Sequence, residues 1–86
     1  MHCHSVVNNL IFYFSYFRWY RKSSSGQLIN LPIGKRYYQN HGVLNILKVE
    51  QMDAGTYVCK VQNSLGDEKA ETNLVLIGKL KYSISA

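Results

Sequence analysis

Apolar side chains recur at every second position in several short stretches of the chain. Phe17 and Trp19 alternate with more polar neighbours, and Leu44 and Ile46 flank Asn45. A period of two places alternate side chains on the same face of a β-strand. The pattern therefore predicts short strands that bury one face and expose the other.

Turn-forming residues separate these stretches, so the chain divides into about six predicted strands with turns near every tenth residue. Regular spacing of this kind favours an all-β sandwich. We expect residues 63–66 to form a four-residue hairpin loop and residues 78–86 to form an exit linker or tail. The predicted strands span residues 10–20, 27–34, 35–39, 43–49, 56–62 and 68–76.

The stretch from Asp53 to Cys59 combines a turn with the start of a strand. Asp53 and Gly55 supply turn chemistry, because Asp can hydrogen-bond nearby backbone and Gly tolerates backbone angles that other residues avoid. Tyr57 and Cys59 lie two positions apart and so share one face of the strand that follows. We expect that face to point into the core.

The chain of 86 residues is long enough for one domain. Ten Lys and Arg against five Asp and Glu give a net charge of +5. Two interpretations stay open: ordinary solvation of a small domain, or contact with an acidic protein or a sulfated glycan. Nucleic-acid binding is not predicted: strand alternation puts Arg18 and Tyr20 on the outer face of their strand, and charge is the one feature that favours it.

Catalysis has little support in the sequence. The serines form no Gly-x-Ser-x-Gly elbow, and no glycine-rich phosphate loop follows a strand, so neither an enzyme nor a cofactor is predicted. His2, Cys3 and His4 are close in sequence, but a structural zinc site needs a second ligand pair, and only His41 and Cys59 remain. No metal site is predicted.

The longest apolar run, residues 10–17, is too short for a membrane span, which needs about 18–20 apolar residues. The residues before it include no Lys or Arg, and no small-x-small cleavage site follows it, so a signal peptide is not predicted. The alternative is that Met1 is not a natural start. Cys3 and Cys59 can form at most one disulfide.

Four motifs in residues 17–77 resemble the immunoglobulin I-set domain. They are Trp19-Tyr20-Arg21-Lys22, Leu44-x-Ile46-x-x-Val49, Asp53-x-Gly55-x-Tyr57-x-Cys59 and Asn63-x-x-Gly66. Together they match strand C, strand E, strand F with its tyrosine corner, and the F–G hairpin. The finer pattern from Leu31 to Leu44 resembles adhesion receptors of the Down syndrome cell adhesion molecule family. Titin-like muscle domains share much of the same core.

The resemblance implies an antiparallel β-sandwich that lacks strand A and part of strand B. Residues 1–16 are then an atypical or incomplete N-terminal segment, because Cys3 lies further from Trp19 than strand B usually lies from strand C. The implied structural contacts are a Cys3–Cys59 disulfide, a core of Trp19, Leu44, Ile46 and Tyr57, and a salt bridge between Arg36 and Asp53.

The implied function is a non-catalytic binding or spacer module of a cell-surface adhesion or receptor protein, which contacts other immunoglobulin-like domains. Its expected location is extracellular. The alternative is an intracellular structural module of a titin-like protein, with reduced cysteines. The missing strands also predict an open sheet edge and self-association, unless residues 10–17 fold back as a substitute strand B.

Overall fold

The computed structural model describes residues 1, 3, 16–40, 42–64, 66–78 and 82–85. The prediction of a strand over residues 10–15 therefore lies outside the described residues. The described part contains seven strands and one 3-10 turn, Gln51–Asp53. The strands are β1 (Tyr16–Lys22), β2 (Leu28–Asn30), β3 (Tyr37–Asn40), β4 (Val43–Ile46), β5 (Gly55–Asn63), β6 (Gly66–Leu76) and β7 (Tyr82–Ser85).

The strands form two antiparallel sheets. Five strands make the larger sheet in the order β2-β1-β5-β6-β7, and β3 pairs with β4 in the smaller one. The N-terminal residues extend the smaller sheet along the free edge of β4. The Leu44 N–H donates to the Met1 carbonyl at 2.7 Å, and the Cys3 N–H donates to the Gly42 carbonyl at 2.7 Å. The prediction of an immunoglobulin-like β-sandwich is confirmed.

The core lies between the two sheets and is built from alternate residues of the central strands. Trp19 and Leu44 are each 1% exposed, and Tyr57 is fully buried. Ile46 is partly buried and packs against this cluster. Burial of one large apolar side chain contributes about 1.5–3 kcal/mol, so these positions supply much of the stability of so small a domain.

Gln39 joins the two sheets where β2 is too short to pair with the first half of β1. Its side-chain amide donates to the Phe17 carbonyl at 2.8 Å and accepts the Trp19 N–H at 3.0 Å. These are the two hydrogen bonds that a neighbouring strand would make. A side chain of β3 therefore substitutes for backbone at this edge of β1.

The structure differs from the sequence-based boundaries at several strand ends: β1 continues to Lys22, β2 covers only Leu28–Asn30, and β4 ends at Ile46. Two connections differ as well. Asn63 pairs with Gly66, so the β5–β6 loop contains two residues instead of four. Tyr82–Ser85 falls in the segment predicted as a linker or tail, yet it pairs with β6 as strand β7. Its two apolar residues make only one alternation, a signal too short to distinguish a strand from a tail.

Candidate interaction surface

Cys3 and Cys59 form the disulfide that the resemblance implied. Their Cα atoms are 5.9 Å apart, and 56 positions of sequence separate them. Cys59 lies on β5 opposite Trp19, and Cys3 lies beside β4, so the bond connects the two sheets through the core. The chain-entropy model attributes about 4 kcal/mol of stabilisation to a crosslink over a loop of this size.

Arg36 and Asp53 lie in contact, as the family resemblance implied. Arg36 Nη2 lies 2.6 Å from Asp53 Oδ2, and Nη1 lies 3.2 Å from Oδ1, so the pair is bidentate. Asp53 is completely buried, and it also accepts hydrogen bonds from the Tyr37 hydroxyl at 2.8 Å and the Glu50 N–H at 2.7 Å. Burial alone would raise the pKa of Asp53, but the hydrogen bonds and the positive charge of Arg36 outweigh it and lower that pKa.

Arg21 is a second structural arginine, which the strand pattern left just after the predicted strand 10–20 and the family motif placed in strand C. It lies in β1, and its guanidinium donates to the carbonyls of Met52 and Ala54 at 3.2 and 2.5 Å. The same group lies 5.0 Å from the centre of the Tyr57 ring. The Tyr57 hydroxyl donates to the Asp53 carbonyl at 2.7 Å, and burial raises the pKa of Tyr57 to about 12. Arg21, Arg36 and Tyr57 therefore all hold the corner formed by residues 50–54, before β5.

An apolar groove opens between the two sheets on the side where β7 faces β4. It encloses about 50 Å³, and no charged side chain lines it. Tyr82 and Ile84 on β7 are 52% and 46% exposed, which is high for large apolar residues in a strand. The groove is lined by Met1, Leu44, Ile46, Val49, Leu74, Tyr82 and Ile84.

The hydrogen-bond pattern of the large sheet fixes the direction of the backbone groups of β7. Trp19 bonds Gln39, so its partner Cys59 directs its N–H and C=O towards β6. Alternation along an antiparallel ladder then directs Leu74 towards β5 and Val75 towards β7. Ser83, the partner of Val75, consequently bonds β6.

Tyr82 and Ile84 therefore direct their backbone N–H and C=O groups away from β6, along the outer edge of β7. These two residues combine exposed apolar side chains with an outward strand edge. We call Tyr82–Ser85, together with the groove beneath it, the β7 edge. The sequence carried one weak signal for it, the alternation of Tyr82 and Ile84 between serines.

Other functional chemistry is sparse in the described part of the chain. No group of three or more His, Cys, Asp or Glu residues could hold a metal ion among the described residues. Within the same residues, no helix is long and apolar enough to cross a membrane.

Comparison with known proteins identifies relatives of this sandwich. Residues 16–76 match the family described as Immunoglobulin I-set domain. A segment of 37 residues is 43% identical to the basement membrane-specific heparan sulfate proteoglycan core protein of Mus musculus. That segment is 43% of this chain and 1% of the mouse protein.

Solved structures of Dscam resemble the fold. The structure described as "Crystal structure of Dscam1 isoform 6.44, N-terminal four Ig domains" has a TM-score of 0.63 and 32% identity. The match covers 67% of this chain and 15% of that one. The structure described as "Structural basis for Dscam isoform specificity" has a TM-score of 0.62 and 33% identity, and the match covers 66% of this chain and 15% of that one.

Proposed function

Because the chain belongs to the immunoglobulin I-set family, we propose that it is a non-catalytic binding or spacer module of a cell-surface adhesion or receptor protein. Its partner is a second immunoglobulin-like domain. The likeness to Dscam domains supports a protein-binding role. The matched relatives are far longer than this chain, so the role of the whole protein is part of the proposal.

The observation that carries the proposal is the β7 edge. An exposed strand edge is a template for pairing with another chain, and natural proteins usually protect it with charge, proline or a covering element. Tyr82–Ser85 carries neither charge nor proline, and its two apolar side chains are about half exposed. This edge is therefore suited to contact with a partner.

We assign a second copy of this chain as the partner at the β7 edge. Antiparallel strands can pair about a two-fold axis, which makes the same surface serve both copies. An axis through Ser83 pairs Tyr82 of each copy with Ile84 of the other, and these are the residues whose backbone groups point outward. Each pair also joins an aromatic to a β-branched side chain, a favourable cross-strand combination.

The absence of charge on β7 also favours this pairing between identical chains. Each copy has a net charge of +5, so close approach of most faces brings like charges together. Tyr82–Ser85 and the groove beneath it contain no charged side chain. Among the described residues that line the groove, the one formal charge is the Met1 α-ammonium, which donates to the Leu44 carbonyl at 2.6 Å. Contact through Tyr82–Ser85 therefore brings no charged side chain of this strand against its counterpart.

The disulfide supports an extracellular location. Disulfides persist in oxidising compartments and are rare in the cytosol. Cys3 and Cys59 are bonded, and no described cysteine is free. This pairing favours the adhesion role over an intracellular module with reduced cysteines.

Sedimentation equilibrium over a concentration range on the order of 10 μM to 1 mM tests the pairing, because a four-residue edge gives a small interface and weak affinity. We expect the unaltered chain to show a monomer–dimer equilibrium and Ile84→Lys to remain monomeric, because the substitution places two ammonium groups at the interface. The matched control is Ile29→Lys. Ile29 is 50% exposed on β2, the strand at the opposite edge of the same sheet.

Equal dimerisation of the unaltered chain and Ile84→Lys would refute the β7 edge as the interface. Loss of dimerisation in Ile29→Lys but not in Ile84→Lys would also refute it, because that result would show that the copies meet at β2. A chain that stays monomeric across the range would refute pairing with a second copy. Thermal melts of both variants should match that of the unaltered chain, because both positions are about half exposed.

A further inference from the structure

Three cations lie in one row across the outer face of the large sheet. Arg18 on β1 pairs with Lys60 on β5, and Lys60 pairs with Lys69 on β6. Directly paired residues of neighbouring strands project to the same face, about 5 Å apart. The row is therefore about 10 Å long and runs perpendicular to the strands.

Placing like charges directly opposite each other in a sheet is destabilising. The ion pairs within the described residues are those of Lys22 with Glu71 and of Arg36 with Glu50 and Asp53. None of them includes a member of the row. The three cations therefore repel one another, and an anion placed on the row would reduce that repulsion.

Tyr20 brings two of the cations together. The guanidinium carbon of Arg18 lies 5.7 Å from the centre of its ring, and the Lys60 ammonium lies 5.4 Å from it. Among the described residues, Arg18 makes only long hydrogen bonds of 3.5 Å, to the Tyr16 hydroxyl and the Asn30 side-chain oxygen. Its donors are therefore available to a stronger acceptor.

The two ends of the row differ in their surroundings. Around Arg18, the nearest positions of β1 and β5 on this face are uncharged: they are Tyr16, Tyr20, Val58 and Gln62. Lys60 lies between this uncharged side and β6, where Asp67 and Glu71 are its diagonal neighbours. Lys69 has Asp67 and Glu71 two positions away on the same strand and the same face. An anion is consequently favoured most between Arg18 and Lys60 and least beside Lys69.

We propose that this row binds a sulfated glycan, with one sulfate held between Arg18 and Lys60 beside Tyr20. Lys69 provides a weaker second contact. The site lies on the outer sheet face, away from the β7 edge, and goes beyond the proposed pairing of two domains. Guanidinium and ammonium groups donate charge-assisted hydrogen bonds to anionic oxygens, and Arg offers two parallel donors.

The character of the surface favours a linear polyanion over an acidic protein. The centre of a protein–protein interface is depleted of charge and enriched in apolar and aromatic groups. Here the centre is the charged row itself, and aromatic residues lie beside it on β1 rather than at its centre. A sulfated chain needs regularly spaced cations on an open face, which the cross-strand row supplies.

Isothermal titration of the full chain with a size-defined heparin oligosaccharide tests the site. We expect Arg18→Gln and Lys60→Gln each to weaken binding by about three- to tenfold, and Lys69→Gln to weaken it less. Asp67→Asn should strengthen binding, because it removes a carboxylate beside the row. The matched control is Lys35→Gln, which changes net charge equally at an exposed position before β3, in the other sheet.

Several outcomes would overturn the proposal. Equal weakening in Lys35→Gln would mean that net charge alone attracts the glycan. Equal binding of a desulfated oligosaccharide would exclude sulfate recognition, and tighter binding of poly-glutamate would assign the row to an acidic protein. Absence of heparin binding at low salt would refute the proposed glycan site.

Stability provides a readout that does not depend on the ligand. Lys60 is the central member of the row, so Lys60→Gln should leave the melting temperature of the free chain unchanged or higher. A marked fall in the melting temperature would mean that Lys60 stabilises the sheet. Repulsion within the row would then not favour the binding of an anion.

Discussion

Asp53 connects three segments of the chain through one buried carboxylate. Its oxygens accept hydrogen bonds from Arg36 and Tyr37 and from the backbone of Glu50. A buried charge is tolerated when it is both paired and hydrogen-bonded, and no buried side-chain polar atom of the described residues lacks a partner. The corner before β5 therefore depends on this carboxylate being ionised.

The lowered pKa of Asp53 predicts a specific loss of stability in acid. A carboxyl whose pKa is lower in the folded state contributes its full stabilisation above the unfolded pKa, about 3.9, and loses it as the pH falls through the folded value. Urea unfolding at a series of pH values should show Asp53→Asn less stable than the unaltered chain near pH 7. The difference should shrink as the pH falls below about 4. A difference that stays constant with pH would show that the charge of Asp53 does not contribute.

The sequence predicted Arg36 and Asp53 as partners at the corner before β5, but it did not predict that Arg21 also binds there. Asp53, Tyr57 and Cys59 belong to a fixed motif, and Arg36 follows from the family resemblance. Arg21 bonds mainly backbone carbonyls, which any residue provides, so no residue pattern marks its partners. Side chains that bind side chains leave a sequence signal, and side chains that bind backbone often do not.

At the scale of single elements, strand interiors were easier to predict than their ends. The alternation through Phe17 and Trp19 placed β1 with its buried face towards the core. The β5–β6 hairpin was predicted with too long a loop, because Asn63 and Gly66 suggest a turn but do not determine how far the ladder extends into it. The role of Gln39 could not be predicted, since it depends on how the smaller sheet lies against β1.

Removing the Gln39 amide tests whether a side chain replaces a strand at the edge of β1. Gln39→Leu leaves the Trp19 N–H and the Phe17 carbonyl without these partners, and we expect a loss of about 1–3 kcal/mol in the free energy of unfolding. Gln62→Leu is the control, because Gln62 is an exposed glutamine in β5. Equal stability of the two variants in urea unfolding would contradict the bridging role.

At the scale of the whole molecule, described residues near both ends of the chain extend the two sheets. Met1 and Cys3 extend the smaller sheet, and the disulfide connects them to β5. The sequence predicted an open sheet edge where strand A and part of strand B are missing, and this stays a prediction. Strand β7, which lies in the segment predicted as a tail, pairs with β6 and forms the outer strand of the large sheet. The position of β7 follows from long-range pairing that local alternation cannot predict.

The outer position of β7 predicts that two copies meet at the β7 edge. The domain then carries two proposed binding surfaces. The β7 edge is apolar and offers backbone hydrogen bonds, whereas the row of Arg18, Lys60 and Lys69 is cationic. The two surfaces lie in different parts of the large sheet. A glycan bound to the row would therefore leave the β7 edge accessible.

Amide hydrogen exchange at several protein concentrations tests the central claim, that this domain pairs through the β7 edge. The Ser83 amide bonds β6 and should exchange slowly at every concentration, whereas the Tyr82 and Ile84 amides point outward and should exchange fast in the monomer. We predict that exchange at Tyr82 and Ile84 slows as concentration rises, while exchange at Leu28 and Asn30, whose amides point away from β1 at the opposite edge of the sheet, does not change. Association with unchanged exchange at Tyr82 and Ile84 would contradict the account.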